Sequence, residues 1–200
     1  EVAKIKAMVE AKAVTWDVID VDTPTGLQGC AEGALETIDW GKLGLDRSKF
    51  IGGDLLDCAV PNIIYGTVFG YDTTKYPENP PTSIFDFFDT AKYPGKRGLW
   101  KNVQVNFEWA LIADGVDPKD VYTVLATPEG LDRAFAKLDT IKKDIVWWEA
   151  GAQAPQLLAD GQVVMTSAWN GRLYNAVKDR LGPSSAGLGL VGNHQGHAEA

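Results

Sequence analysis

Apolar positions along the chain follow two rhythms in turn, one of period two and one near 3.6, and together they predict strands followed by helices. Val2, Ile5, Met8 and Val9 share one helical face, with Lys4 and Lys6 off it, so residues 2–9 predict a helix. Thr15 to Val21 (TWDVIDV) alternates and is rich in branched side chains, which predicts a strand. Pro24 to Glu32 predicts a short helix ending near Gly33. Residues 56–72 (LDCAVPNIIYGTVFGYD) are the longest apolar stretch. Pro61 and Gly66 interrupt it, so it predicts one or two buried strands.

A Pro-rich loop, Tyr76 to Pro81, precedes Ser83, which is placed to cap a helix with Phe85 and Phe88 on one face. Lys96 to Leu99 predicts a strand, and Phe107 to Ala113 a helix stopped by Asp114-Gly115. Thr127-Pro128 opens a strong helix with Leu131, Phe135, Leu138 and Ile141 at helical spacing. Further strands are expected at Asp144 to Trp148 and Gln162 to Ala168, and further helices at Pro155 to Asp160 and Arg172 to Leu181. Residues 182–200 show neither period and predict an irregular tail. Strand and helix in alternation mean an α/β fold with mostly parallel sheets.

Composition narrows the function. Of 200 residues, 45% are hydrophobic and 23% charged, enough for one large domain or two small lobes. Lys plus Arg is 19 against 27 Asp plus Glu, a formal net charge of -8. That balance opposes nucleic-acid binding, which rests on Lys and Arg at phosphates, and a basic membrane-surface role. No apolar run reaches the roughly 20 residues that span a bilayer. Glu1 is not an initiator Met and no leader follows it, so the chain is expected to be processed, trimmed or a fragment.

Motifs for catalysis are scarce: GxSxG, HExxH, GxxxxGK[ST] and GxGxxG are all missing. His194 and His197 both lie in the irregular tail, so no general-base histidine and no metal site or cofactor is expected. Cys30 and Cys58 lack CxxC spacing, which leaves two buried thiols or one disulfide. Ligands of open α/β sheets collect where strands end and helices begin. Four such segments, 20–25, 100–106, 148–153 and 169–172, are rich in Trp, Asn, Gln, Asp and Arg, which suits stacking on and hydrogen-bonding a small polar solute.

Four stretches carry a resemblance: WDVIDVDTPTGLQGCAEGALETIDW (16–40), VPNIIYGTVFGYD (60–72), PTSIFDFFDTAKYPGKRGL (81–99) and LLADGQVVMTSAWNGRLYNA (157–176). In their order and spacing, residues 1–181 resemble the periplasmic solute-binding proteins of bacterial ABC importers, of the spermidine/putrescine type with the type II periplasmic-binding fold. The resemblance implies two lobes joined by hinge strands. Residues 1–66 would be part of the first lobe, left incomplete, 67–181 the second, and 182–200 the tail. Family members extend further at both ends, so the chain looks like a fragment or truncated product. The resemblance also implies a periplasmic location, a monomer and an ABC permease as partner. In that oxidising compartment a Cys30–Cys58 disulfide is favoured.

The resemblance places Trp169 where an aromatic ring packs on the ligand's methylenes or ammonium. Arg172 departs from the diamine pattern, because a guanidinium repels an ammonium and grips a carboxylate. Asp22, beside Thr23, stands where the family often has Ser or Thr, and could hold an amine. Hence the expected ligand is a polyamine such as putrescine or spermidine, or a γ-aminobutyrate-like ω-amino acid. Trp100, Asn102, Glu149 and Tyr65 are lesser candidate contacts, along with Gln104 and Gln153, while Trp40, Trp109 and Trp147 are expected in packing. The alternative is a small α/β hydrolase or transferase using carboxylates such as Asp22 and Glu149.

Overall fold

A computed structural model of the chain describes residues 2–51, 57–180 and 188–191. They fall into two compact units, one ending at Ile64 and the other beginning at Tyr65.

The first unit carries α1 (Val2–Glu10) and α2 (Thr23–Ala31). Lys6 of α1 reaches Glu32, just past α2, at 2.7 Å. The Lys6 hydrogen bond holds the Glu32 carboxyl below its usual range, helped by a second from Gln28. Among the described residues of this unit Ile5 is the buried large apolar one, whereas Val14, Val18 and Ile51 are exposed. Thr15 to Val21 was expected as a strand, but is not one here. Alternation marks an extended segment with one apolar side; a strand also needs a ladder partner, and none is described for it.

Cys30, in the last turn of α2, is disulfide-bonded to Cys58, with Cα atoms 5.6 Å apart. The loop closed has a sequence separation of 28, for which chain entropy supports about 3–4 kcal/mol. Denaturant unfolding with and without reductant should show the first unit's transition weakened by roughly that amount.

The second unit is a sheet covered on both faces. Its strands are β1 (Thr67–Asp72), β2 (Arg97–Trp100), β3 (Ile145–Trp148), β4 (Met165–Trp169) and β5 (Leu188–Val191), in the order β3-β2-β4-β1-β5. β2 runs parallel to β3 and β4, while β1 runs antiparallel to β4 and β5. The sheet is therefore mixed, not mostly parallel. β4 leads straight into a helix, and β1 enters the sheet from the other unit's side of the sequence, without a crossover to fix it parallel. Of residues 56–72, only Thr67–Asp72 becomes a strand. β5 corrects the expectation of an irregular tail. Its L-G-L-V run is too short to show a period, and the free edge of β1 organises it. The rest of that tail, His194 and His197 included, lies outside the described residues.

One face of the sheet holds α3 (Ile84–Phe88), α4 (Asn106–Ala113), α5 (Val121–Leu125) and α6 (Pro128–Asp139) over a core of Phe69, Phe87, Leu99, Trp109, Leu111 and Met165. The other holds α7 (Gln153–Ala159) and α8 (Asn170–Arg180) over Trp148, Ala154, Leu158, Ala168 and Leu173.

Two helix faces differ from expectation. In α3 the Ser83–Asp86 capping box starts the helix at Ile84. That turns Ile84, Phe87 and Phe88 inward at i, i+3 and i+4, and leaves Phe85 54% exposed. In α6 the small residues Gly130 and Ala134, with Ile141 beyond, form the buried face: Gly130 sits against Val124 of α5, and α4 packs along the helix. Phe135 sits at the rim, edge-on to Phe107 at 4.8 Å. Trp147 is exposed rather than packed: on β3, an edge strand, alternation sends Trp148 inward and its neighbour out.

A buried arginine locks the entrance to β2. Arg97 is fully buried, and its guanidinium donates to the backbone carbonyls of Phe87, Gly95, Asp89 and Tyr93. Burial pushes its pKa down, while Tyr76, Asp144 and Asp89 oppose that shift.

Candidate binding site

In the second unit, the carboxyl ends of three adjacent parallel strands each carry a tryptophan. Trp100 ends β2, Trp148 ends β3 and Trp169 ends β4. Trp100 and Trp148 are stacked, with centroids 5.9 Å apart and planes at 15°. Trp169 stands edge-on to both, at 5.8 Å from Trp100 and 6.0 Å from Trp148. Tyr65 adds a fourth ring 6.1 Å from Trp169. The cluster forms because the register pairs Trp100 with Trp148 across β2 and β3. Thr67 pairs with Trp169 across β1 and β4, and the chain just before it brings in Tyr65.

Polar groups hold the loops around these rings. Asn170 N–H donates to the Gly66 carbonyl at 2.9 Å, and Gly66 N–H donates to Asn170 Oδ1 at 3.3 Å. Asn106, buried, donates its side-chain amide to the carbonyls of Trp100 and Asn102, both at 2.7 Å. Gln153 Oε1 accepts the N–H groups of Glu149 and Ala150, both at 2.8 Å. Ser167 Oγ accepts from Trp100 N–H. Asn106 and Ser167 were not singled out in the sequence. An Asn standing just before the expected helix Phe107 to Ala113 was the available signal for the first. Trp148 Nε1 is buried with no hydrogen-bond partner among the described residues. An unsatisfied donor costs about 1–3 kcal/mol, so an acceptor that reaches it gains accordingly.

The other candidates sit as follows. Asn102 is exposed, and its Oδ1 accepts from Gln104 N–H. Glu149 is exposed and ion-paired with Lys101 at 2.7 Å. The Lys101 hydrogen bond and charge hold its carboxyl below the usual range. A solvated, ionised carboxylate of this kind is poorly suited to act as a general acid. Arg172 is exposed in the first turn of α8. In the first unit, Asp22 is the N-cap of α2, its Oδ1 accepting from Thr25 N–H at 3.0 Å, and Thr23 is the first residue of that helix. Among the described residues no three His, Cys, Asp or Glu side chains gather as a metal set, and no helix is long and apolar enough to cross a membrane.

Residues 1–191 match the family of bacterial extracellular solute-binding proteins. The chain belongs to that family. It is 49% identical over 179 residues to the gamma-aminobutyric acid-binding protein of Pseudomonas aeruginosa PAO1, covering 90% of this chain and 50% of that protein. A solved GABA receptor superposes with a TM-score of 0.81 at 40% identity, over 96% of this chain and 56% of the other. The periplasmic binding protein MotA of A. tumefaciens B6, in complex with glucopine, superposes with a TM-score of 0.83 at 36% identity, over 95% and 57%. The chain thus spans about half the length of the relatives it matches. These family relatives are binding proteins, not enzymes.

Proposed function

We propose that this solute-binding chain serves a bacterial ABC importer, capturing a γ-aminobutyrate-like ω-amino acid for delivery to an inner-membrane permease. The observation that carries the reading is the aromatic cluster of Trp100, Trp148, Trp169 and Tyr65 at the carboxyl ends of the parallel strands. Rings of this kind bind methylenes by apolar contact and ammonium groups by cation–π attraction. Arg172, one helical turn from Trp169, supplies the charge that a carboxylate needs and a diamine does not tolerate. Half of a GABA-binding protein is matched at 49% identity, which supports the same ligand class. Asp22 and Thr23, at the start of α2, are further candidates for holding an amino group. On this reading the protein works in the periplasm, as a monomer. The Cys30–Cys58 disulfide suits that compartment.

Calorimetric titration tests the ligand class. GABA and its five-carbon homologue should bind saturably, and putrescine and spermidine weakly. Tight putrescine binding with no response to ω-amino acids would overturn the zwitterion assignment.

A further inference from the structure

Gly151 lies in the turn between β3 and α7, directly behind the Trp169 ring. A Cβ built on it would meet Trp169 Cζ3 at 2.2 Å and Cε3 at 2.6 Å. Real Cβ atoms do not approach that closely, so a side chain here forces the ring to move. The backbone does not require the glycine: Gly151 is not among the residues with positive φ. The glycine therefore serves the ring and not the turn. The ring has little room to yield, because Trp100 and Trp148 stand on its flanks at 5.8 and 6.0 Å and Tyr65 at 6.1 Å. The turn has little room either. Gln153 Oε1 accepts two consecutive N–H groups of it, and Gly151 is buried.

We propose that Gly151 is a positioning residue: its bare backbone, braced by Gln153, sets how far back the Trp169 ring is seated, and thereby the length of ω-amino acid accepted. This rests on Trp169 touching the ligand, as proposed above. A Cβ at 151 pushes the indole forward, off the turn, and shortens the space in front of it. One methylene in an apolar pocket is worth about 10–200-fold in affinity, so the effect is read as a change in length preference.

The test uses the whole chain with Gly151→Ala, Gln153→Ala and Trp169→Phe variants. Their near-ultraviolet circular dichroism is recorded, and they are titrated with four-, five- and six-carbon ω-amino acids. Three indoles within about 6 Å of one another make the near-ultraviolet band sensitive to the seat of Trp169. Gly151→Ala should shift the band that Trp169→Phe removes. It should also weaken the six-carbon ligand at least about tenfold more than the four-carbon one. Gln153→Ala, which adds no bulk, should broaden that band and flatten the length preference. An unchanged band in Gly151→Ala overturns the seating, and an equal loss for all three lengths overturns the specificity role. If the unaltered chain binds none of the three, the ligand reading fails while the spectroscopic arm still decides the seating.

Discussion

Replacing Trp169 with alanine is expected to lower affinity for GABA about 100-fold, alongside a lower melting temperature from the lost contacts with Trp100, Trp148 and Tyr65. The ring stands at the strand end, partly exposed and in contact with Trp100, Trp148 and Tyr65. Its loss removes apolar contact with the ligand's methylenes and attraction for its ammonium, together about 3 kcal/mol, and each 1.4 kcal/mol is a factor of ten. Phenylalanine keeps a smaller π face and should recover most of the loss. Calorimetry on the three proteins checks this; an alanine variant within threefold of the parent would remove Trp169 from the site.

The second large effect is on stability. Arg97→Met should destabilise the second unit by about 3–5 kcal/mol, because the buried carbonyls of Phe87 and Tyr93 and the part-buried ones of Gly95 and Asp89 lose their donor at once. Arg97→Lys should not rescue it. An ammonium on a flexible stem cannot reproduce the planar fork that reaches Phe87, Asp89, Tyr93 and Gly95 together. Denaturant unfolding followed by tryptophan fluorescence measures both. A methionine variant as stable as the parent would mean that water satisfies those carbonyls. Arg97 was invisible as a lock in the sequence, where Lys96 to Leu99 reads only as a short strand.

The elements that were legible are those with strong local signals. Thr127-Pro128 set the start of α6, Asp114-Gly115 the end of α4, and the apolar runs near 145 and 165 gave β3 and β4. The misreadings are of another kind. Thr15 to Val21 alternates but has no described ladder partner, and Leu188 to Val191 scarcely alternates yet pairs with β1. Pairing is a property of two segments, and one segment's pattern does not contain it. Phe85, Phe135 and Trp147 were misplaced for a related reason. Which apolar side chain of several is buried depends on the rotation of its element against a neighbour.

What the amino-acid sequence determined alone was therefore most of the helices and strands of the second unit, the α/β class, the family resemblance and the residue types available for a ligand. Those follow from short-range backbone preferences and from side-chain chemistry. Only the tertiary structure decided which of seven tryptophans meet. Trp100, Trp148 and Trp169 are 48 and 21 residues apart in sequence, yet lie within 6.0 Å as rings, because parallel strands bring their carboxyl ends to one edge. The close approach of Gly151 to one of those rings, and the carbonyl cage around Arg97, depend on the same long-range pairing.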